Sequence, residues 1–273
     1  MASLSHADGL VASFEEATRH AGELALAFFR HGEKTSAMVS HKAGGSPVTE
    51  ADHLVDRFLK RRFEELLPEA GWLSEETEDS AERLTKKLVL VVDPIDGTRA
   101  FALGEPTWAI AVALVRDGRP LIGIVHAPAL QQTYVAVKDG GSRLNGVPIE
   151  VSGIATLDAS ARVGAPLFLA EELRQAGLTF TLQPRVPSLA MRIAYVASGA
   201  LDAGFASENS NDWDIAAADL ILEEAGGRLA GLDGVELVYN REETRHGLLT
   251  AAPRQLQSQI NLAMRRARGC APG

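Results

Sequence analysis

Apolar residues recur at helical spacing along the first part of the chain. Between Leu10 and Arg30 this spacing predicts an amphipathic helix. A polar, glycine-containing stretch from His41 to Pro47 comes next. It precedes a second predicted helix from about Ala51 to Leu67, which Pro68 ends because proline disfavours continuation of a helix. Two helices are therefore expected before the first clear strand.

Short apolar runs of strand length occupy the middle of the chain. Leu88 to Val92 predicts a buried strand that ends in a turn at Asp93-Pro94. Three further strands are expected at Trp108 to Val115, Leu121 to Ala127 and Thr133 to Val137. Because short turns join them, we predict an antiparallel meander, which the turn residues at 139–146 are expected to end.

The second half of the chain alternates between the two patterns. Helices are expected at Leu169 to Ala176, Ser188 to Ser198 and Ile215 to Ala225, with a strand at Leu201 to Ala206. Gly226-Gly227 gives the third of these helices a C-terminal cap. Such alternation indicates a smaller α/β layer. We therefore predict a first domain over residues 1–150, with the early helices and the antiparallel sheet, and a second over residues 151–273.

The composition of the chain excludes several classes of protein. Its 273 residues, 46% hydrophobic and 23% charged, are typical of a soluble globular protein. No apolar run reaches the roughly 18 residues needed to span a bilayer. The N-terminus lacks the pattern of a secretory signal, so a cytoplasmic location is expected. The single cysteine, Cys270, allows neither a disulfide framework nor a zinc site built from thiolates.

The formal net charge of −9 limits the partners of the chain. It argues against binding of nucleic acid through the protein's own field, and no membrane partner is expected. An acidic protein can still bind an anionic substrate when metal cations lie between the two, since bound ions are often the largest local charges.

The segment from Asp93 to Arg99, Asp-Pro-Ile-Asp-Gly-Thr-Arg, carries the most chemical information. Asp93 and Asp96 stand three residues apart across a proline-stiffened turn and can converge on one point. Mg²⁺ prefers such oxygen ligands, together with waters and substrate phosphate. Gly97 lets the backbone approach an anion closely, and the Thr98 hydroxyl could orient or activate a water. The alternative interpretation is an ordinary turn, since Asp, Pro and Gly are common turn formers.

Three other acidic positions have structural interpretations beside the functional one. Glu75-Glu76 is typical of a solvated loop face. Asp214, directly before a predicted helix, suits an N-cap, although one oxygen can cap while the other binds a metal. Thr49 and Asp52 have the spacing of a capping box. Each signal is weak when it is taken alone.

The order of these motifs resembles the inositol monophosphatase family. Four motifs follow one another between about residues 40 and 230: Thr-x-x-Asp before a helix, Glu-Glu, Asp-Pro-Ile-Asp-Gly-Thr after a strand, and Trp-Asp opening a helix that ends Glu-Ala-Gly-Gly. The resemblance implies a layered sandwich, α+β or α/β in class, with the α-β-α-β-α layers of fructose bisphosphatase. It also implies an active site between the two halves and a homodimer.

By this resemblance the chain would bind two to three Mg²⁺ ions. Glu75, Asp93 and the carbonyl of Ile95 would hold one ion. Asp93, Asp96 and Asp214 would hold a second, and a third, looser ion is expected near Glu75. Two ions a few Å apart would stabilise the attacking and leaving oxygens of an in-line displacement. Most ligands would thus belong to the first domain, with Asp214 in the second.

The resemblance also implies catalytic and substrate-binding residues. Thr98, paired with Glu75 or Asp52, would orient and deprotonate the attacking water, whose pKa an ion lowers. The N–H groups of Gly97 and Thr98 would bind phosphate oxygens. The remaining substrate-binding residues would be Asp96, Ser188, Ser207, Glu208 and Asp214. No covalent nucleophile is needed for such a reaction, and inhibition by lithium is expected.

The substrate is less closely specified than the reaction. Members of the family hydrolyse inositol phosphates, 3′-phosphoadenosine 5′-phosphate, histidinol phosphate or fructose bisphosphate. Pro187 and the position of Glu208, one residue nearer to Asp214 than in many inositol phosphatases, argue against strict inositol specificity. The segments at 46–49 and 72–76 look more like those of bacterial 3′(2′),5′-bisphosphate nucleotidases. We place that activity first and inositol-1-phosphatase second.

Three arginines could neutralise the second phosphate of a bisphosphate nucleotide: Arg162, Arg185 and Arg192. A solvated surface position is the alternative interpretation of each. A different class of function, a non-catalytic homologue that binds or regulates, is also considered, since a fold does not guarantee its chemistry. Carboxylates at every expected ligand position argue against that class.

Overall fold

A computed structural model describes residues 2–268 and contains two main β-sheets; Cys270 lies outside those residues. The α-helices are α1 (Ala2–Leu26), α2 (Glu50–Leu66), α3 (Thr98–Leu103), α4 (Leu167–Gln175), α5 (Leu189–Ala197), α6 (Asp212–Glu224) and α7 (Arg254–Ala267). The first strands are β1 (Val39–His41), β2 (Pro47–Thr49), β3 (Gly71–Ser74), β4 (Leu88–Asp96), β5 (Ala109–Arg116), β6 (Arg119–Ala127), β7 (Gln132–Val137), β8 (Gly141–Leu144) and β9 (Val147–Pro148). The later strands are β10 (Arg162–Gly164), β11 (Thr181–Leu182), β12 (Ala203–Ala206), β13 (Ser210–Asn211), β14 (Gly227–Gly231), β15 (Arg245–His246) and β16 (Leu249–Pro253). Among the helices of this region, none has both the length and the apolar content needed to cross a bilayer.

The larger sheet has seven strands in the order β3-β4-β5-β6-β7-β8-β9. β3 and β4 are parallel, and the other neighbours are antiparallel. The predicted meander over β5, β6 and β7 is confirmed. The prediction that it ends at residues 139–146 is wrong, because the turns there lead into β8 and β9. A tight hairpin turn within a sheet uses the same residue types as a turn that ends the sheet. The sequence alone therefore did not distinguish these two kinds of turn.

Helices cover both faces of this sheet. Leu90 of β4 packs in a cluster with Phe14 of α1 and Leu59 of α2. The next residue, Val91, belongs to a different cluster with Ile221 of α6, because successive strand residues point to opposite faces. A strand that is covered on both sides shows a continuous apolar run, and this is why β4 lacks polar alternation.

The smaller sheet has five strands in the order β11-β10-β12-β16-β14. α5 and α6 lie between the sheets, since their cluster includes Ala111 of β5 and Ala251 of β16. α4 and α7 cover the outer face, where Leu173 and Leu256 pack with Phe205 of β12. The predicted α-β-α-β-α sandwich is therefore confirmed. The division into domains at residue 150 stays a prediction. One core cluster contains residues from both sides of that position.

Two predicted boundaries near the motifs are wrong. β4 does not end at Val92 but continues to Asp96, with a shift of register against β5 between Asp93 and Asp96. α6 begins at Asp212 rather than at Ile215, so its first turn includes Asp214. In both places an acidic residue was assigned to a turn or cap, whereas tertiary contacts extend the regular element through it.

Candidate active site

Two elements bring three acidic side chains to one point. β4 carries Asp93 and Asp96 on either side of its register shift, and the first turn of α6 carries Asp214. One possible ligand oxygen from each of the three lies within 4.8 Å of the others. Asp93 is only 1% exposed and Asp96 only 7%. Three of the four predicted carboxylate ligands thus form one compact cluster.

Burial and mutual repulsion disfavour the charged forms of this cluster. Burial, followed by the charges of neighbouring carboxylates, raises the pKa of Asp93 well above its usual value. Burial, followed by the charge of Asp96, also raises the pKa of Asp214. Burial also raises the pKa of Asp96 to about 6. Such acids need a counter-charge to stay ionised, and Mg²⁺ fits because it prefers carboxylate oxygens.

Asp96 also connects the cluster to α5. Its Oδ2 accepts hydrogen bonds from the Ser188 hydroxyl and the Ala190 N–H, both at 2.6 Å. Ser188 is the N-cap of α5, and its Oγ accepts from the N–H of Met191 at 3.0 Å. Ser188 is fully buried and its hydroxyl contacts Asp96, while its predicted contact with substrate stays a prediction.

Asp214 and Asp93 likewise bind local backbone donors. Asp214 Oδ2 accepts from the N–H of Asn211, the N-cap of α6, at 2.6 Å. Asp93 Oδ1 accepts from the N–H of Ile95 at 3.0 Å. The interpretation of Asp214 as an N-cap is wrong, because it is the third helical residue of a capping box. One oxygen of each carboxylate serves the backbone, which leaves the other for a ligand.

Glu75 follows β3 and forms an ion pair beside the cluster. Lys42 Nζ lies 2.7 Å from Glu75 Oε1 and 2.7 Å from Glu76 Oε1. The charge of Glu75 is one cause of the raised pKa of Asp93, so the two carboxylates share one electrostatic environment. Sequence reasoning missed Lys42, because one lysine in a polar loop carries no pattern that separates it from solvated surface. The role of Glu75 as a metal ligand stays a prediction.

Thr98 in the first turn of α3 contacts Asp52 of α2. Its Oγ1 lies 3.1 Å from Asp52 Oδ1 and 3.0 Å from the carbonyl oxygen of Ile95, the predicted metal-binding carbonyl. Asp52 Oδ2 accepts from the N–H and hydroxyl of Thr49 at 2.8 and 2.5 Å, and the predicted capping box of α2 is confirmed. Burial raises the pKa of Asp52. Of the two predicted partners of Thr98, the structure brings Asp52 into contact.

Gly97 determines the backbone conformation at the start of α3. Its φ of 92° lies in the left-handed region, which side chains rarely adopt. An added Cβ would also lie 3.4 Å from the backbone nitrogen of Ser188. The first N–H groups of any helix lack partners within it, so those at the start of α3 are free to bind an anion.

A cavity of about 720 Å³ adjoins Asp214. It is lined by the start of α4, by residues 182–192 and by the loop at 206–210. The two residues predicted to select substrate, Ser207 and Glu208, both line it. The Glu208 carboxylate lies 3.1 Å from the guanidinium of Arg268 in the residue that follows α7, so its charge is partly neutralised.

The three candidate arginines have different surroundings. Arg162 pairs with Asp202 at 2.9 Å and does not line this cavity. Arg192 lines it but donates to two backbone carbonyls at 2.7 Å each. Arg185 also lines it and, across residues 2–268, makes no hydrogen bond or ion pair. The sequence alone did not separate the three, because the surroundings of each arginine depend on which segments the fold brings next to it.

Comparison with known proteins gives a family match along nearly the whole chain. A model of the inositol monophosphatase family matches residues 8–268. The chain is 32% identical over 249 residues to the inositol-1-monophosphatase of Mesorhizobium japonicum, covering 84% of this chain and 91% of that protein. It is 37% identical over 201 residues to the histidinol-phosphatase of Mycobacterium tuberculosis, covering 70% and 76%. It is 30% identical over 237 residues to the 3′(2′),5′-bisphosphate nucleotidase CysQ of Aggregatibacter actinomycetemcomitans, covering 84% and 87%.

A solved structure gives the same result for the fold. The extragenic suppressor protein suhB of Bartonella henselae superimposes with a TM-score of 0.81 at 24% identity. That match covers 94% of this chain and 99% of the other. At this identity the likeness concerns the fold alone.

Proposed function

The chain belongs to the inositol monophosphatase family and is a phosphoric monoester hydrolase, and from this premise we propose that it hydrolyses a bisphosphorylated nucleotide with Mg²⁺. Asp93, Asp96 and Asp214 would hold the metal, with Glu75 and the Ile95 carbonyl as further ligands. The observation that carries the proposal is the buried cluster, whose ligand oxygens lie within 4.8 Å of one another beside a large cavity. Two to three ions are proposed for the site.

Thr98 and Asp52 would orient the attacking water. Bound Mg²⁺ supplies positive charge to the phosphate and lowers the pKa of a water. When the Thr98 hydroxyl donates to Asp52 Oδ1, at 3.1 Å, its oxygen can accept a hydrogen from that water. Burial raises the pKa of Asp52, which makes its carboxylate a stronger base for the released proton. Thr49 holds the other oxygen of Asp52, so the carboxylate keeps its direction.

The start of α3 would bind the phosphate that is cleaved. The N–H groups of Gly97 and Thr98 belong to the first residues of that helix and lack helical partners. Backbone N–H groups at such a position bind anionic oxygens. Because Asp96 comes directly before Gly97 in the chain and Asp93 three residues earlier, phosphate at this position would also face the cluster.

The cavity beside Asp214 supports a nucleotide as the leaving group. Arg185 offers a cation for a second phosphate, and its charge adds to that of neighbouring Arg192. Phe168 lines the same cavity and is 64% exposed, so its ring offers a surface on which a base can stack. An inositol ring carries hydroxyl groups only and would use neither feature.

Other substrates remain as alternatives to the nucleotide. Inositol-1-phosphate is supported by the inositol-1-monophosphatase relative, and histidinol phosphate by the histidinol-phosphatase relative at 37% identity. Glu208 on the cavity wall could pair with the amine of histidinol phosphate, in competition with Arg268. Fructose-1,6-bisphosphate is a further alternative.

A comparison of kcat/KM among these four compounds at millimolar Mg²⁺ tests the proposal. We expect 3′-phosphoadenosine 5′-phosphate to give the highest value. Arg185→Ala should lower that value about tenfold or more, a loss of at least 1.4 kcal/mol, and leave inositol-1-phosphate unchanged. The matched control is Arg61→Ala, an exposed arginine of α2 whose side chain is 85% accessible. Equal losses on both substrates would reject the role of Arg185, and no phosphate release from any compound would reject the metal-dependent reaction.

A further inference from the structure

Four buried side chains hold α6 to the segment at 239–246, and we call them the α6 anchor: Asp212, Asp219, Tyr239 and His246. His246 Nε2 lies 2.7 Å from Asp212 Oδ1. The Tyr239 hydroxyl donates to Asp219 Oδ2, also at 2.7 Å. None of the four is more than 8% exposed, and none belongs to the proposed ligand set. Each pair satisfies the hydrogen bonds that buried polar groups require, so the two contacts tie α6 to this segment.

The anchor residues of α6 and the ligand Asp214 lie on opposite sides of the helix. At 3.6 residues per turn, each residue advances about 100° around the axis. Asp219 therefore returns to within about 20° of Asp212, whereas Asp214 lies about 200° away from it. A rotation of α6 that changes the anchor contacts must also move the Asp214 carboxylate relative to Asp93 and Asp96.

Other contacts hold the same helix end without the side chains of His246 and Tyr239. β13 pairs with β15, and the N–H of Asp212 donates to the carbonyl of Thr244 at 2.9 Å. Asp212 Oδ2 also accepts from the N–H of Asn240 at 2.7 Å. Removal of the His246 or Tyr239 polar group therefore leaves α6 attached, but with less constraint on its rotation.

We propose that the α6 anchor positions Asp214 for metal binding, with His246 and Tyr239 as positioning residues that do not touch the metal. This inference rests on the proposed ligand role of Asp214. Hydrogen bonds of 2.7 Å fix both distance and direction, which apolar packing does not. Groups that orient a metal ligand from outside typically change metal affinity about 10- to 100-fold when they are removed.

Titration of MgCl₂ into substrate-free protein, followed by calorimetry, tests the inference. His246→Ala should weaken Mg²⁺ binding about tenfold or more, and His246→Gln, which keeps an amide donor, should recover most of the loss. Tyr239→Phe removes one oxygen, keeps the ring and should weaken binding in the same direction. It serves as the test if His246→Ala does not fold. Circular dichroism and Tm identify variants that have lost structure.

His126 is the matched control for a buried histidine. Its Nδ1 lies 2.9 Å from the Thr133 hydroxyl on the larger sheet, and its ring is next to Gly22 of α1, away from α6. His126→Ala should lower Tm and leave Mg²⁺ affinity unchanged. If His246→Ala and Tyr239→Phe also lower only Tm, the anchor has a purely structural role and the inference is rejected.

Asp214→Asn in the same titration separates this inference from the proposed function. Its Oδ1 can still accept a hydrogen bond, but one ligand charge is lost. If Asp214→Asn binds Mg²⁺ as the unsubstituted protein does, the ligand assignment itself is wrong. If it binds weakly while the anchor variants bind normally, only the positioning role is wrong.

Discussion

Single carboxylates in this protein combine a local hydrogen bond with a possible ligand position. Asp52 caps α2 through one oxygen and contacts Thr98 through the other. Asp93 and Asp214 each accept from a backbone N–H two or three residues away. Because local donors fix one oxygen, the direction of the other is fixed too. A substitution that keeps the hydrogen bond but removes the charge can therefore separate the two roles.

Asp93→Asn makes that separation at the centre of the cluster. The amide oxygen can still accept from the N–H of Ile95, so we expect the circular dichroism spectrum and the fold to be unchanged. Loss of a charge that would be shared by two ions should abolish activity, measured as phosphate release at millimolar Mg²⁺. Activity above about a tenth of the original would contradict the metal assignment.

Thr98→Val tests the hydroxyl that contacts Asp52. Valine keeps the β-branched shape but removes the group that would orient water, so kcat should fall about 100-fold. Thr98→Ser keeps the hydroxyl and should stay within about tenfold of the original kcat. Steady-state kinetics at saturating Mg²⁺ measures both variants. Equal kcat values for the two would show that the hydroxyl is not required.

At this scale, sequence predicted features that depend on near neighbours. The capping box of Thr49 and Asp52 lies within four residues, and it is confirmed. The contact of Lys42 with Glu75 could not be predicted, and neither could the position of Arg185 in the cavity. In both cases distant segments of the chain form the surroundings of the side chain. The ion pair of Lys42, for example, joins residues 33 positions apart.

At the scale of whole elements, the position of α6 on the larger sheet depends on one small residue. Gly123 of β6 faces the backbone of Ala217 in α6, and an added Cβ would lie 2.5 Å from its carbonyl oxygen. Since neither backbone can move easily, this glycine allows the close approach of helix and sheet. The same helix presents Asp214 to the cluster.

Gly123→Ala should therefore destabilise the protein through overpacking. We expect a loss of about 1–3 kcal/mol in the free energy of unfolding, measured by urea denaturation. Gly153→Ala is the control, because an added Cβ there meets nothing within 4 Å. Its stability should be unchanged or slightly raised. Equal losses in the two variants would show that the α6 contact is not the cause.

Sequence predicted the long elements better than the short or interrupted ones. Period and apolar content identified α2 and the meander of β5 to β7, because these elements contain enough residues to show a pattern. β3 and α3, with four and six residues, are too short for one. The predicted β4 ended too early, before Asp93. Acidic residues and proline fit within this strand only because its register against β5 shifts, and the sequence does not show that shift.

At the scale of the whole molecule, the buried carboxyl groups predict how the stability of the folded protein depends on pH. The Asp96 carboxyl has a pKa raised by burial to about 6, above the usual 3.8, so the folded protein holds this proton more tightly than the unfolded chain. Its contribution to stability is therefore complete below pH 3.8 and is lost as pH rises through about 6. The raised pKa values of Asp93 and Asp214 act in the same direction.

Metal-stripped protein should show this effect in Tm. Relative to Asp96→Asn, which cannot titrate, the unsubstituted protein should lose stability as pH rises from about 3.8 to about 6. Mg²⁺ should raise Tm more at the higher pH, since protons no longer compete for the carboxylates. Identical pH profiles for the two proteins would contradict the raised pKa of Asp96.

The homodimer implied by the family resemblance stays a prediction, which sedimentation would test.

The sequence by itself determined the family, the layered fold and the type of side chain in the acidic cluster. These follow from residue type and from short spacing, such as the two carboxylates three positions apart in Asp93 to Asp96. Tertiary structure decided how the parts meet: the Asp96–Ser188 contact spans 92 positions and the Asp212–His246 pair spans 34. It also decided which arginine of the cavity makes no hydrogen bond or ion pair within residues 2–268. Such contacts depend on how distant elements pack against one another, and that packing has no local pattern in the chain.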